Sequence, residues 1–223
     1  MCGRFTLTLD PAQLREAFPG LFIPAGIKPR YNIAPSQPVA VIPNTGENKL
    51  DFFSWGFIPS WAKDPTIGNR MINARAETIA EKTAFRTSLH RRRCLILSDG
   101  FFEWKLDTNG KTKTPYYIHL KSREPFAFAG LWDLWKHPDG SEIRSCAIIT
   151  TTPNELMQAI HNRMPVILRT DAYSTWLDIN EQKPETLIPL LTPYSSSAMS
   201  AHPVSKIVNA PQNDMPECIQ PLT

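Results

Sequence analysis

The sequence predicts one α+β domain built around mainly antiparallel strands, and three observations carry that prediction. Short apolar runs rich in β-branched and aromatic residues recur along the chain, each bounded by turn residues. The 21 prolines are scattered through all 223 residues, which favours short elements and shaped loops over long helices. Strands and helices do not alternate regularly, which argues against a doubly wound parallel sheet. No internal repeat, low-complexity tract or Gly/Ser linker interrupts the chain, so residues 1–223 read as a single unit.

In chain order, "DPAQLREAF" (10–18) opens as a helix, with Asp10 as N-cap and Pro11 at the first position. Strand runs follow at "PVAVIP" (38–43) and "KLDFFSWGFIP" (49–59). "AETIAEKTAFRTSLHRRR" (76–93) carries helical spacing in part, with "HRRR" (90–93) reading as a solvated helix end. The next strands are "RCLILSDGFFEW" (93–104), "PYYIHL" (115–120), "PFAFAGLW" (125–132), "SCAIITT" (145–151) and "PVILR" (165–169). Between the first two of these, Asn109-Gly110 is a hairpin signal. "TPNELMQAIHN" (152–162) predicts a helix capped by Thr152, with Pro153 first and Glu155 completing a capping box. Short helices are expected over 171–178 and 184–191.

Composition bounds the function. A hydrophobic content of 42% with 20% charged residues fits a folded globular chain. The net charge of +3 is too small for a basic face, so any nucleic-acid contact must be a local cluster. The four cysteines are far apart, without C-x-x-C or paired His spacing, which argues against both a zinc site and a disulfide framework. No signal-peptide pattern and no apolar run near ~18 residues is present, so a reduced, cytoplasmic protein is expected.

One position stands apart. Cys2 follows Met1 directly and is small enough for methionine removal, which would leave a cysteine with both a free thiol and a free α-amine. Such a 1,2-aminothiol condenses with an aldehyde to a Schiff base and then closes a thiazolidine ring. With an α-amine near ~8 and a thiol near ~8.5, useful fractions of neutral amine and thiolate are expected at neutral pH.

Four polar stretches lie at strand ends or turns. In "MINARAET", Asn73 and Arg75 fit either turn capping or the holding of an amine and a phosphate. In "LSDGFFEWK", Glu103 between Phe102 and Trp104 is either a desolvated general acid or the wet face of an edge strand. In "IHNRMPVIL", His161 is either a helix-dipole complement or a proton shuttle. In "YNIAPSQ" and "WGFIPSWAKDP", Pro35 and Trp61 line a base-binding groove or pack a core. G-x-S-x-G, Walker and H-E-x-x-H motifs are absent, which removes several common enzyme classes.

MCGRF, "RYNIAP", "WGFIPSWA", "MINARAET", "SDGFFEWK", "IHNRMPVIL" and "HPVSKIVN" resemble, in order from residue 2 to residue 209, the successive blocks of the SOS response-associated peptidase (SRAP) family. The resemblance implies a barrel-like, mainly antiparallel sheet with short flanking helices. It implies a DNA-damage protein that recognises an abasic site in single-stranded DNA and crosslinks itself to it, as a monomer, without metal or cofactor. By the family's pattern Cys2 is the nucleophile and Asn73, Glu103 and His161 are its catalytic partners. Arg4, Arg75 and Arg163 would contact phosphate, with Pro35, Trp61 and Trp104 around the bases and sugar. The family name also implies a thiol peptidase that cuts its own Met1–Cys2 bond, and a lyase-like activity toward the lesion. A reversible, non-covalent single-strand binder is the alternative from a different class.

Overall fold

The computed structural model describes residues 2–24, 26–108 and 110–222, so the expectations that rest on Met1 and Asn109 lie outside the described residues. Among the described residues thirteen strands form two sheets. Strands β3 (Pro38–Pro43), β4 (Asp51–Trp55), β6 (Arg93–Ser98), β9 (Phe126–Lys136) and β10 (Glu142–Thr151) close on themselves into a five-stranded barrel. All contacts around this ring are antiparallel except β10 with β4, where Cys146 lies opposite Trp55. Closure leaves no ring strand with an open edge. Gly130 of β9 lies opposite both Cys94 and Ile148. A Cβ there would sit 2.8 Å from the Cys94 sulfur and from Ile96, so the barrel interior admits only glycine at that point.

Three short strands extend the barrel's rim: β5 (Asn73–Arg75) runs parallel to β10, β11 (Met164–Pro165) pairs β10 and β12 (Ile167–Leu168) pairs β9. The second sheet, fully antiparallel, has the order β13 (Met199–Pro203), β8 (Lys113–Leu120), β7 (Gly100–Leu106), β1 (Phe5–Leu7), β2 (Arg30–Ile33). The predicted α+β class and barrel-like, mainly antiparallel sheet are therefore what the chain adopts.

Helices are short, as expected: α1 (Pro11–Ala17), α2 (Thr83–Arg91), α3 (Glu155–Gln158), α4 (Tyr173–Leu177) and α5 (Pro184–Leu187). Helix α1 starts where its local chemistry dictates, with Asp10 and Gln13 forming a reciprocal capping box. Helix α3 differs from expectation. Its cap is Asn154, whose side chain accepts the Met157 N–H at 2.9 Å, two residues beyond Thr152. Among the described residues no helix is long and apolar enough to cross a membrane.

Two further differences have physical causes. The run 93–104 is not one strand, because it breaks at Asp99 and passes from the barrel into the second sheet. The Asp99 carboxylate accepts from Thr6 Oγ1, Thr8 N–H and Thr8 Oγ1, which ties the break to the strand beside it. The "HRRR" segment is a solvated end only in part, since Arg91 is exposed but Arg93 is fully buried. Its guanidinium donates to the carbonyls of Leu89, His90, Trp176, Asp178 and Glu181 at 2.6–2.9 Å. Leu89 and His90 lie in the last turn of α2, Trp176 and the C-cap Asp178 at the end of α4 and Glu181 just beyond it, so one buried cation joins both helix ends.

Candidate active site

The site forms where the barrel rim meets the second sheet. Pairing of β1 with β7 continues past Phe5 opposite Phe101, because Phe102 N–H donates to Arg4 O at 2.9 Å. Residues 2–4 therefore run alongside β7, which carries Glu103 and Trp104. Opposite them, β5 presents Asn73, whose Nδ2 donates to the Cys2 carbonyl at 2.9 Å. The Asn73 Oδ1 atom is buried and has no hydrogen-bond partner among the described residues. His161 comes from the turn after α3, where its N–H donates to Met157 O at 2.7 Å.

Electrostatics couple three of these, Cys2, Glu103 and His161. Glu103 is 2% exposed, which excludes the wet-face alternative. Burial lifts its carboxyl above the usual carboxylate range, while the charge of nearby His161 acts the other way. Cys2 is fully buried, and burial first and the Glu103 charge second push its thiol up from the ordinary thiol range. The surroundings thus work against the thiolate fraction expected of an unperturbed thiol, and the proton has to leave as the sulfur reacts.

The predicted phosphate ligands fall into two groups. Arg75 is exposed, and its guanidinium makes no hydrogen bond or ion pair with the described residues. Arg4 and Arg163 are engaged by the protein itself. Arg4 Nη1 donates to Asn32 Oδ1 and to Val208 O, both at 2.6 Å, and its guanidinium lies over the Trp104 ring. Arg163 grips both Glu77 oxygens, at 2.5 and 2.9 Å, and donates to Thr150 O at 2.7 Å.

The aromatic and proline positions divide similarly. Trp61 is 62% exposed and stands on a turn closed by Ala62 N–H to Pro59 O. Pro35 and Ser36 occupy the centre of a turn in which Gln37 N–H returns to Ala34 O at 3.3 Å. Ser36 has φ +68°, a left-handed value that costs on the order of 1 kcal/mol or more outside glycine. The turn is fastened to the neighbouring loop by Ser36 N–H to Trp55 O and by Ser36 Oγ to Asn69. Trp55 Nε1 in turn donates to Ile72 O, next to Asn73. A chain of backbone and side-chain contacts therefore links the Pro35 turn, through Trp55, to the segment that carries Asn73. Trp104 is half-buried and donates from Nε1 to Asn209 Oδ1 at 2.8 Å.

Sequence reasoning singled out neither Glu77, Thr150, Asn32 nor Asn209, although each holds one of the predicted residues. Glu77 and Asn209 lie inside "MINARAET" and "HPVSKIVN", the same blocks that carried the resemblance. Their partners are remote in sequence, so no local pattern marked them.

The arrangement supplies a buried carboxyl, an imidazole, a carboxamide on the Cys2 backbone and a thiol, with the exposed Arg75 on the same short strand as Asn73. A family profile described as SOS response associated peptidase (SRAP) matches residues 1–211. The chain is 50% identical over 224 residues to "Abasic site processing protein YoqW" of Bacillus subtilis, covering 99% of both. It is 31% identical over 264 residues to "Abasic site processing protein HMCES" of Xenopus tropicalis, covering 98% of this chain and 78% of the other. A crystal structure of a protein from Bacteroides thetaiotaomicron superposes with a TM-score of 0.89 at 28% identity, covering 100% of each chain. On these matches, and on a fold and site that agree with them, the chain belongs to the SOS response associated peptidase (SRAP) family.

Proposed function

We propose that the protein processes abasic sites by binding single-stranded DNA and capturing the lesion covalently, as a thiazolidine formed by Cys2 after Met1 is removed. Relatives at 50% and 31% identity carry names that describe abasic site processing, which supports the substrate. The observation that carries the chemistry is the buried, unpartnered Asn73 Oδ1 beside a Cys2 carbonyl that Asn73 already holds. An α-amine freed at Cys2 is a donor matched to that acceptor.

The steps balance with these residues alone. A protonated Glu103, the form that burial favours, gives its proton to the deoxyribose ring oxygen while His161 takes the C1′ hydroxyl proton, and the ring opens to the C1′ aldehyde. The Cys2 amine adds to C1′, and the carbinolamine loses water as His161 returns that proton to its hydroxyl, leaving a protonated Schiff base. The Cys2 sulfur then adds to C1′ of the protonated Schiff base as its own proton passes to the Glu103 carboxylate, closing the five-membered ring. Aldehyde and aminothiol have become thiazolidine and one water. Arg75 meets backbone phosphate, and Trp61 and Pro35 face unstacked bases, with Arg4, Arg163 and Trp104 completing the groove. A thiol peptidase acting on Met1–Cys2 would want a lowered thiol pKa, whereas burial and Glu103 move this thiol upward, which favours capture.

The test uses purified protein and a single-stranded oligonucleotide bearing one abasic site. Wild type should give a denaturant-stable adduct, Cys2→Ala none, and Cys2→Ser at most a weaker one. Chain purified with Met1 retained should not crosslink. Undiminished adduct from a Met1-retaining chain would refute the aminothiol chemistry, and equal yields on continuous duplex would refute the single-strand preference.

A further inference from the structure

We infer that Glu77 is a positioning residue for His161, acting through Arg163. The role of His161 in proton transfer rests on the function proposed above, whereas the chain of contacts does not. Glu77 stands in the 3-10 turn directly after β5, and Thr150 lies on β10 opposite Arg75 of β5. Both anchors of the Arg163 guanidinium therefore belong to one strand pair. The fork of Arg163 meets the Glu77 carboxylate with two parallel bonds and turns a third toward Thr150 O, a geometry that lysine cannot reproduce. Those bonds also hold the Glu77 carboxyl below the usual carboxylate range, so the grip persists across neutral pH.

What Arg163 does with its backbone gives the grip a consequence. Its N–H donates to His161 Nδ1 at 3.1 Å, while its carbonyl lies 3.3 Å from the same nitrogen. The first contact makes Nδ1 an acceptor and puts the proton of a neutral imidazole on Nε2. The second would make Nδ1 a donor and reverse the tautomer. Both groups lie within reach of Nδ1, at 3.1 and 3.3 Å, so the conformation of the 161–163 turn bears on which contact holds. The turn is anchored at its start by His161 N–H to Met157 O and at its end by the Arg163 side chain. Glu77 thus decides which nitrogen of His161 carries the transferable proton, from a position that touches neither the imidazole nor Cys2 in any described hydrogen bond.

The experiment reads the tautomer directly, by long-range ¹⁵N–¹H correlation of the imidazoles in the free protein above neutral pH, with His161→Ala supplying the assignment. Wild type should be dominated by the Nε2–H form. Glu77→Gln keeps the size and removes the charge, and with the Glu77 side chain 43% exposed the fold should tolerate it. Glu77→Gln should raise the Nδ1–H fraction several-fold. Arg163→Lys, an independent variant at the other end of the pair, should do the same, and Glu77→Asp should restore part of the wild-type pattern. Transfer of a preformed crosslink from one oligonucleotide to a second should slow in Glu77→Gln by up to roughly 10²-fold. A tautomer ratio unchanged in both Glu77→Gln and Arg163→Lys would overturn the inference. Because the tautomer is read without DNA, a shifted ratio in a protein that never crosslinks would uphold the positioning of His161 and reject the proposed function.

Discussion

Glu103→Gln sets stability and chemistry against each other at one atom pair. Glu103 is 2% exposed, and burial lifts its carboxyl above the usual carboxylate range despite the opposing charge of His161. An unfolded Glu titrates near ~4.3. A folded pKa above that value means that folding takes up a proton. The associated stability is fully present below the unfolded pKa and is lost as pH rises through the folded one. Each unit of elevation corresponds to ~1.4 kcal/mol, and ~1 kcal/mol moves the melting temperature of a chain this size by ~2–4 °C. Gln keeps the shape and never ionises, so the variant avoids this loss. The melting temperature of Glu103→Gln minus that of wild type should climb as pH rises from about 4 and level off above the folded pKa. At neutrality the variant should be the more stable protein. The same substitution cannot deliver an acidic proton, so adduct formation should slow by ~10²–10⁴-fold, less whatever spontaneous ring opening conceals. Thermal melts across pH, followed by circular dichroism, and adduct yield against time on denaturing gels measure both limbs. A melting difference independent of pH would refute the buried-acid reasoning, and an undiminished rate would refute the role of Glu103 in ring opening.

Three other expectations follow from particular contacts. Trp61→Ala should leave stability within ~0.5 kcal/mol, because the ring is 62% exposed. It should weaken single-strand binding by ~1–3 kcal/mol, measured by fluorescence anisotropy on an undamaged oligonucleotide. Arg75→Ala should reduce the slope of log affinity against log salt by about 1, with melting temperature unchanged. Arg93→Met removes five donated bonds to carbonyls at and just beyond the ends of α2 and α4, and urea titration should give a loss on the order of 3–5 kcal/mol.

The elements that were legible in the sequence are those set by neighbours along the chain. Asp10, Pro11 and Gln13 start α1 wherever it packs, and the β-branched runs are strands whatever their partners. Where two local signals competed, sequence reasoning slipped by a residue or two, as when Asn154 rather than Thr152 capped α3. The strands at 5–7, 30–33, 73–75 and 199–203 were not predicted. They are short or polar and hold their conformation through pairing, 5–7, 73–75 and 199–203 with longer strands and 30–33 with 5–7.

By itself the sequence determined the residue types available for chemistry: a cysteine behind Met1, a glutamate between aromatics, a histidine after a helix and an asparagine near an arginine. It also determined the α+β class, since the strand runs and the capped helix starts are local. Only the tertiary structure decided that β7 runs beside residues 2–4, which buries Glu103 and Cys2 together and raises both pKa values. Only the tertiary structure decided that Arg4 reaches across 204 residues to Val208, that Arg163 closes on Glu77 86 residues away, and that Arg93 is core rather than surface. The reason is the same in each case. Charge, burial and hydrogen-bond partners are properties of the space around a side chain, and in a barrel closed by β9 and β10 that space is assembled from segments far apart in the chain.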